Sequence, residues 1–383
     1  MPLSVIDAHA ADVARLARAV DCLRAGGLVI FPTETVYGIA AFGRLPAAVD
    51  RLRAAKGRAA PQAFTVHLGR AADAAAYLPA PPPVARRLAR KAWPGPLTIL
   101  CSIDDPNAAP AVAQGKLGRV DDVYVDRRVG LRCVDHPAAA ELLSSLDGPV
   151  LASSANRQGE PPPTDCAHAV AAIGVEAELA IDGGRSRIGG ASSIVDVSSG
   201  TLRMIRAGAI EERTLQRMAR SEVLFVCTGN TCRSPMAEYL FRTGLAAALG
   251  LSLPELAAAG YAVASAGVRA GPGWPASDGA VRTLAERGLD AGAHRSQPLT
   301  LEAVQRAERV YVMTPEHRAA VLDLAPAYAD RVELLDSGSA IADPVGGGPD
   351  EYRRCAQQIE RALERRIAQF VAEDRDWQRP SRV

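Results

Sequence analysis

Short apolar runs alternate along the chain with segments whose apolar positions recur every three or four residues. This alternation of strand-like and helix-like periods predicts α/β architecture in both halves. In the second half, the run Val223-Leu-Phe-Val226 is apolar on both faces, as a strand buried in a parallel sheet should be. A polar turn follows, Cys227-Thr-Gly-Asn-Thr-Cys-Arg233, and Ser234-Pro235 opens a helix, because proline costs nothing in a first turn. Further on the pattern predicts a strand near 261–266, a helix near 276–287, and strands at 310–313 and 332–335. A closing helix over about 349–372 carries Tyr352, Cys355, Ile359, Leu363, Ile367 and Phe370 on one stripe, so Cys355 reads as packing. In the first half a strand beginning at Gly27 runs into the polar turn Pro32-Thr-Glu-Thr-Val-Tyr-Gly38. A second buried strand from Val150 opens into Ser153-Ser-Ala-Asn156. The charged stretch 211–222 separates the two halves and reads as a short helical linker. The expected domains are therefore 1–210 and 222–383, with 211–221 between them.

Composition narrows the classes. At 383 residues the chain is long enough for two domains. It is 48% hydrophobic and 23% charged with a net charge of +1, as ordinary globular proteins are. Near-neutrality argues against a dominant electrostatic grip on nucleic acid or membrane. With 4% aromatic residues, base-stacking platforms are poorly supplied. No apolar run approaches the length of a membrane span, and Asp7 and Asp12 leave no room for a signal peptide, so a cytoplasmic enzyme is expected. The seven scattered cysteines form neither a disulfide framework nor a CxxC zinc pair, which fits a reducing compartment without a protein-held metal cage.

The turn after Val226 carries the sharpest chemistry. Backbone N–H groups of residues 228–232 converge at a helix N-terminus, which attracts an anion. Cys227 sits in that positive field beside Arg233, a setting that favours the nucleophilic thiolate. A leaving group needs a proton, and Asp343-Pro344, on the glycine-rich loop 336–349, is the natural acid.

With Ser265-Ala-Gly267, His294-Arg-Ser296 and Met313-Thr314 in the same order, residues 222–372 resemble a low-molecular-weight protein tyrosine phosphatase. The resemblance implies Cys227 as nucleophile, Arg233 on the phosphoryl oxygens and Asp343 as acid. It also implies that Asn230 braces the loop and that Ser234 hydrogen-bonds the thiolate, with no cofactor. Thr231 stands where tyrosine-directed members usually carry isoleucine, and the loop is similar to the protein-arginine-phosphatase branch. Val345-Gly-Gly-Gly348 offers little for a phenol to stack on, which agrees. Arsenate reduction needs a cysteine relay, and none lies between Cys232 and Cys355. Cys232, five residues from Cys227, is the expected redox partner of the nucleophile.

The first half yields less to residue chemistry alone. Lys56-Gly-Arg58 places two cations side by side, suited to polyphosphate. Ser154, Asn156, Ala191-Ser-Ser-Ile-Val-Asp196 and Arg203-Met-Ile-Arg-Ala-Gly208 add hydroxyls, an amide and a late arginine. No Walker or dinucleotide glycine pattern is present. These residues point to an anion and small polar ligand, no further.

Together with Trp93-Pro-Gly-Pro-Leu-Thr98, the ordered segments resemble the threonylcarbamoyl-AMP synthase family over 12–210. That family makes an adenylate from ATP with Mg²⁺, bicarbonate and L-threonine, releasing pyrophosphate. Its product feeds modification of adenosine 37 in tRNA through a downstream transferase. The resemblance implies Lys56, Arg58, Arg206, Ser154 and Asn156 at the nucleotide. It implies Thr33, Tyr37, His67 and Ser192 at threonine and carbamate, although His67 equally suits a structural role. The two resemblances together imply a twisted mixed-sheet α/β domain, followed by a doubly wound parallel-sheet phosphatase domain. Departures are Ala59 and Ala63-Phe64 where the family has prolines, and Arg132-Cys-Val134 where it has Arg-x-Pro. Each loses rigidity without removing a ligand. The expectation is a bifunctional enzyme, a threonylcarbamoyl-AMP synthase joined to a phosphatase that acts on phosphoarginine in a phosphorylated protein. The alternatives are phosphotyrosine as the substrate of the second half, and an RNA-binding module without synthase activity in the first.

Overall fold

The structure, a computed structural model, describes residues 3–8, 13–57 and 62–375. It divides after Ala219 into two compact units. Among the described residues, no helix is long and apolar enough to cross a membrane.

Among the described residues, the first unit is built on ten strands. These are β1 (Ser4–Asp7), β2 (Val29–Phe31), β3 (Gly38–Phe42), β4 (Thr65–Leu68) and β5 (Leu97–Ser102). They continue with β6 (Arg128–Cys133), β7 (Val150–Ser154), β8 (Leu179–Asp182), β9 (Ser193–Asp196) and β10 (Arg203–Arg206). Their order in the sheet is β1-β8-β2-β3-β7-β4-β6-β5-β9-β10. The sheet is mixed: β4 runs parallel to β6 and antiparallel to β7, while β2 and β3 form an antiparallel pair. One face packs around Ile30, Ile39, Leu52, Val66, Leu88 and Leu131, and the other around Leu23, Phe31, Leu142 and Ile181. The sequence pattern missed β3, whose Gly38 start hid it behind the polar turn.

Helix Glu212–Ala219 occupies the stretch read as a linker. Its Leu215 is fully buried in the core of the first unit. Arg87 Nε donates to the Ala219 carbonyl at 2.7 Å and Lys91 Nζ to that of Met218 at 3.0 Å. Cations thereby satisfy the carbonyls at the helix C-terminus.

The second unit has four parallel strands, β11 (Ser221–Cys227), β12 (Tyr261–Gly267), β13 (Arg309–Val312) and β14 (Val332–Leu334), in the order β12-β11-β13-β14. Val223 and Phe225 face helices Arg233–Leu249 and Pro349–Arg375 through Met236, Phe241, Ile359 and Phe370. Leu224 and Val226 face the opposite side, with Val304 and Val321 of helices Leu301–Arg306 and Pro315–Leu324. Helices on both faces make the sheet doubly wound. The strand order reverses at β11, and ligands of such sheets bind outside the carboxyl end at the reversal. Cys227 is the last residue of β11.

Candidate active sites

In the second unit the loop after β11 is held from several directions. Asn230 N–H donates to Cys227 Sγ at 3.3 Å, and Ser234 Oγ lies 2.9 Å from the same sulfur. Asn230 has φ +55°, a left-handed conformation that asparagine tolerates better than most residues. Its side chain is fully used. Nδ2 donates to Ser234 Oγ (3.0 Å) and Ser265 Oγ (2.8 Å), and Oδ1 accepts from Gln297 N–H (2.9 Å). His294 Nε2 donates to the Asn230 carbonyl at 2.8 Å. Ser265 Oγ in turn donates a hydrogen bond to Glu238 Oε2 at 2.6 Å, a carboxyl whose pKa burial pushes up. Gly267 ends β12 against this loop; a Cβ there would stand 2.6 Å from the Thr228 carbonyl oxygen and 2.9 Å from Asn230 N. Glycine permits that close approach.

Arg233 is buried and donates from Nη2 to Asp343 Oδ2 at 2.5 Å, from Nη1 to the Ile341 carbonyl at 3.3 Å, and from Nη2 to Thr228 Oγ1 at 3.3 Å. Asp343 is about half exposed on its loop, and its Oδ1 accepts from Val345 N–H. Cys232 Sγ donates to Ser277 Oγ at 3.2 Å and lies 3.5 Å from the Tyr352 hydroxyl. Thr231 accepts Ser277 N–H on its carbonyl, with its Oγ1 3.6 Å from Cys232 Sγ. A cysteine, an arginine, a carboxyl group and oriented N–H donors thus converge on one loop, the equipment of nucleophilic phosphoryl transfer.

In the first unit, Lys56 Nζ donates to the Ser154 carbonyl at 2.7 Å, and to the carbonyl and Oδ1 of Asn156. Lysine therefore meets the backbone of Ser154. Arg206 donates from Nε and Nη2 to the Ser192 carbonyl (3.1 and 2.7 Å) and from Nη2 to Ser192 Oγ (3.0 Å). Thr33 Oγ1 caps its own turn, accepting from Thr35 and Val36 N–H and donating to the Val36 carbonyl. Tyr37 is committed elsewhere. Its hydroxyl donates to the Gly184 carbonyl at 2.6 Å and accepts from Gly183 N–H at 3.1 Å. His67 is buried beside Phe31 with Nδ1 donating to the Thr65 carbonyl; burial, then the charge of Arg132, pushes its pKa down to about 3. Arg58 lies outside the described residues, as does Ala59.

The centre of this site is a residue that sequence reading noted only for a missing proline. Arg132 on β6 is buried, and its Nη2 donates to Glu34 Oε1 (2.8 Å), Thr35 Oγ1 (2.6 Å) and Thr33 Oγ1 (3.5 Å). Its buried Nε has no hydrogen-bond partner. Glu34 accepts Asp135 N–H on its other oxygen at 3.1 Å. Burial, then Arg132, lowers the Arg206 pKa, so the two guanidinium groups feel one another. An arginine inside an apolar strand was the available signal. In the second unit the reading also passed over His317, which bonds Thr228, and Trp274, which is exposed on the segment joined to the Cys227 loop at Ser277.

Residues 21–208 match the Sua5/yciO/yrdC family, described as telomere recombination. Residues 222–376 match the low molecular weight phosphotyrosine protein phosphatase family. The chain is 32% identical over 200 residues to a threonylcarbamoyl-AMP synthase of Pyrococcus abyssi, a match covering 52% of this chain and 56% of that protein. It thus spans little more than half of that relative. Against the threonylcarbamoyl-AMP synthase of Chromohalobacter salexigens it is 34% identical over 190 residues, 49% of this chain and 96% of the relative. Against a protein-arginine-phosphatase of Bacillus subtilis it is 37% identical over 159 residues, 40% of this chain and 99% of the relative.

Proposed function

The chain belongs to two families at once, Sua5/yciO/yrdC in its first half and low molecular weight phosphotyrosine protein phosphatase in its second, and from that premise we propose a bifunctional enzyme. The observation that carries the phosphatase half is the loop in which Ser234 and Asn230 hold the Cys227 sulfur while Arg233 meets Asp343. Cys227 thiolate attacks phosphorus, the loop N–H groups and Arg233 hold the phosphoryl oxygens, and Asp343 gives its proton to the leaving group. Water then attacks the phosphocysteine, Asp343 takes a proton from it, and the thiolate and inorganic phosphate are released.

The substrate is phosphoarginine on a protein. Thr231 supports this, because a hydroxyl beside the reacting phosphorus suits a planar, hydrogen-bonding guanidinium better than a phenol. The test is kcat/KM on phosphoarginine and phosphotyrosine peptides for wild type and Thr231→Ile. A phosphoarginine preference that collapses in the variant supports the reading. A wild-type preference for phosphotyrosine returns this half to the tyrosine branch.

The first half makes threonylcarbamoyl-AMP from L-threonine, bicarbonate and ATP. Arg132, oriented by Glu34, Thr33 and Thr35, takes the threonine carboxylate, with His67 neutral at its side. Lys56 and Arg206 offset charge on the triphosphate as the carbamate oxygen attacks the α-phosphorus and pyrophosphate leaves. Mg²⁺ travels with ATP; among the described residues, no cluster of three or more His, Cys, Asp or Glu converges to hold a metal. The adenylate passes to a tRNA-modifying transferase. Pyrophosphate release that requires threonine and bicarbonate, and falls in Lys56→Met, tests this half. Salt-sensitive RNA binding without pyrophosphate release would replace it with an RNA-binding role.

A further inference from the structure

Besides its bond to the Ile341 carbonyl, Arg233 has two side-chain holds of different kinds. Asp343 meets it from a half-exposed, glycine-rich loop. Thr228 meets it from within the phosphate loop, and Thr228 Oγ1 also lies 2.9 Å from His317 Nε2. His317 is buried near the start of helix Pro315–Leu324, and its Nδ1 lies 3.0 Å from Oγ1 of Thr314, the residue that caps that helix. A line of hydrogen bonds therefore runs from Arg233 through Thr228 and His317 into a helix N-terminus. None of the chemistry proposed above uses Thr228 or His317.

The two holds cannot serve through the same step. Asp343 must carry a proton to act as acid, and a protonated carboxyl no longer ion-pairs with Arg233. At that moment the guanidinium must still face the phosphoryl oxygens. Building on the phosphatase reading, we infer that Thr228 and His317 are positioning residues that keep Arg233 on the phosphate loop when Asp343 lets go.

Hydrogen-bond accounting supports the arrangement. Arg233 can only donate, so it fills one lone pair of Thr228 Oγ1. With Thr314 donating to Nδ1, neutral His317 donates from Nε2 into the other lone pair. The Thr228 hydroxyl proton is then left for a phosphoryl oxygen. A cationic His317 would instead place a second positive charge beside Arg233. Burial first, and Arg233 next, hold the His317 pKa below its ordinary value, while Glu316 and Asp343 act in the opposite direction. His317 is thus neutral at neutral pH and gains its charge only in acid, where it weakens the grip on Arg233.

The test uses the full chain as wild type, Thr228→Val, Thr228→Ser and His317→Gln. Turnover of a phosphoarginine peptide and of p-nitrophenyl phosphate is followed across acidic and neutral pH, with inorganic phosphate binding measured separately. Loss of a hydrogen bond to a charged group predicts that Thr228→Val raises KM and the phosphate Kd roughly tenfold or more. Thr228→Ser should restore both. His317→Gln should move the acid-side fall in kcat/KM to lower pH, which a purely structural role would not do. Because a valine variant can also lose activity by misfolding, the His317 ring is titrated by NMR in wild type. It should titrate below ordinary histidine and respond to phosphate. Unchanged KM, phosphate affinity and pH profile in the variants would overturn the positioning role while wild-type turnover keeps the phosphatase reading intact. An ordinary, phosphate-insensitive His317 titration would do the same. A wild type that neither binds phosphate nor turns over either substrate overturns both.

Discussion

Replacing Glu34 by glutamine changes one charge and almost no volume, at the centre of the first unit's site. Glu34 accepts on both oxygens, from Arg132 Nη2 at 2.8 Å and from Asp135 N–H at 3.1 Å. A glutamine has one oxygen, so one of those donors must face an NH₂ group. The guanidinium also loses its anion, and the two side chains are only 6% and 1% exposed. Breaking a buried pair from one side costs about 3–5 kcal/mol, far above a surface pair. At about 2–4 °C per kcal/mol for a unit of this size, the melting temperature of the first unit should fall by roughly 6–20 °C. Calorimetry of the full chain measures this. The double variant Glu34→Gln with Arg132→Met removes both charges and should recover a large part of the loss. In the pyrophosphate assay the single variant should raise KM for threonine more than KM for ATP, because Arg132 is the group set adrift. A loss below about 1 kcal/mol, or a double variant no better than the single, would show that the pair is not the buried, mutually dependent unit described.

Three further outcomes follow from other parts of the molecule. Asp343→Asn should lower kcat on phosphoarginine roughly 10²–10⁴-fold, and much less on p-nitrophenyl phosphate, whose leaving group needs no proton; equal losses on both would remove Asp343 as the acid. Leu215→Ala should destabilise the first unit by about 2–5 kcal/mol by denaturant unfolding, whereas a solvated linker would register less than about 0.5 kcal/mol. Since His67 is held neutral with a pKa of about 3, the folded state refuses a proton that the unfolded state accepts below its ordinary value of about 6.5. Stability of the first unit should therefore fall as pH drops from there toward 3, by up to about 1.4 kcal/mol per pH unit, and His67→Phe should flatten that limb.

The parts that were readable from sequence share a property: their signal is local. The run 223–226, the glycine of the turn and Pro235 lie side by side, so strand, loop and helix could be read together. The long stripe from Tyr352 to Phe370 declared the closing helix in the same way. What escaped depends on distant partners. Arg132 near the end of β6 looks like an outward-facing charge until Glu34 arrives from the turn after β2. Leu215 looks like one apolar residue in a charged linker until the helix Pro83–Ala92 receives it. Tyr37 stands in a polar turn, as a ligand residue should, yet Gly183 and Gly184 take up its hydroxyl. His317 offers no pattern at all, being a single histidine near a helix start whose partner lies on another loop 89 positions away.

The bracing of Asn230 bears on how the chain matures during synthesis. The partners that set this residue come later in the sequence: Ser265 follows by 35 positions, His294 by 64 and Gln297 by 67. Asp343 lies 110 positions beyond Arg233. As the polypeptide emerges from its N-terminal end, Cys227 and its loop precede every one of these supports. The left-handed turn at Asn230 has only its near neighbours Cys227 and Ser234 as partners until β12 and the 294–297 segment have docked. The full set of contacts around the Cys227 loop is therefore assembled only with the last third of the protein. The geometry of this loop is in this way conditional on synthesis of the chain through Asp343.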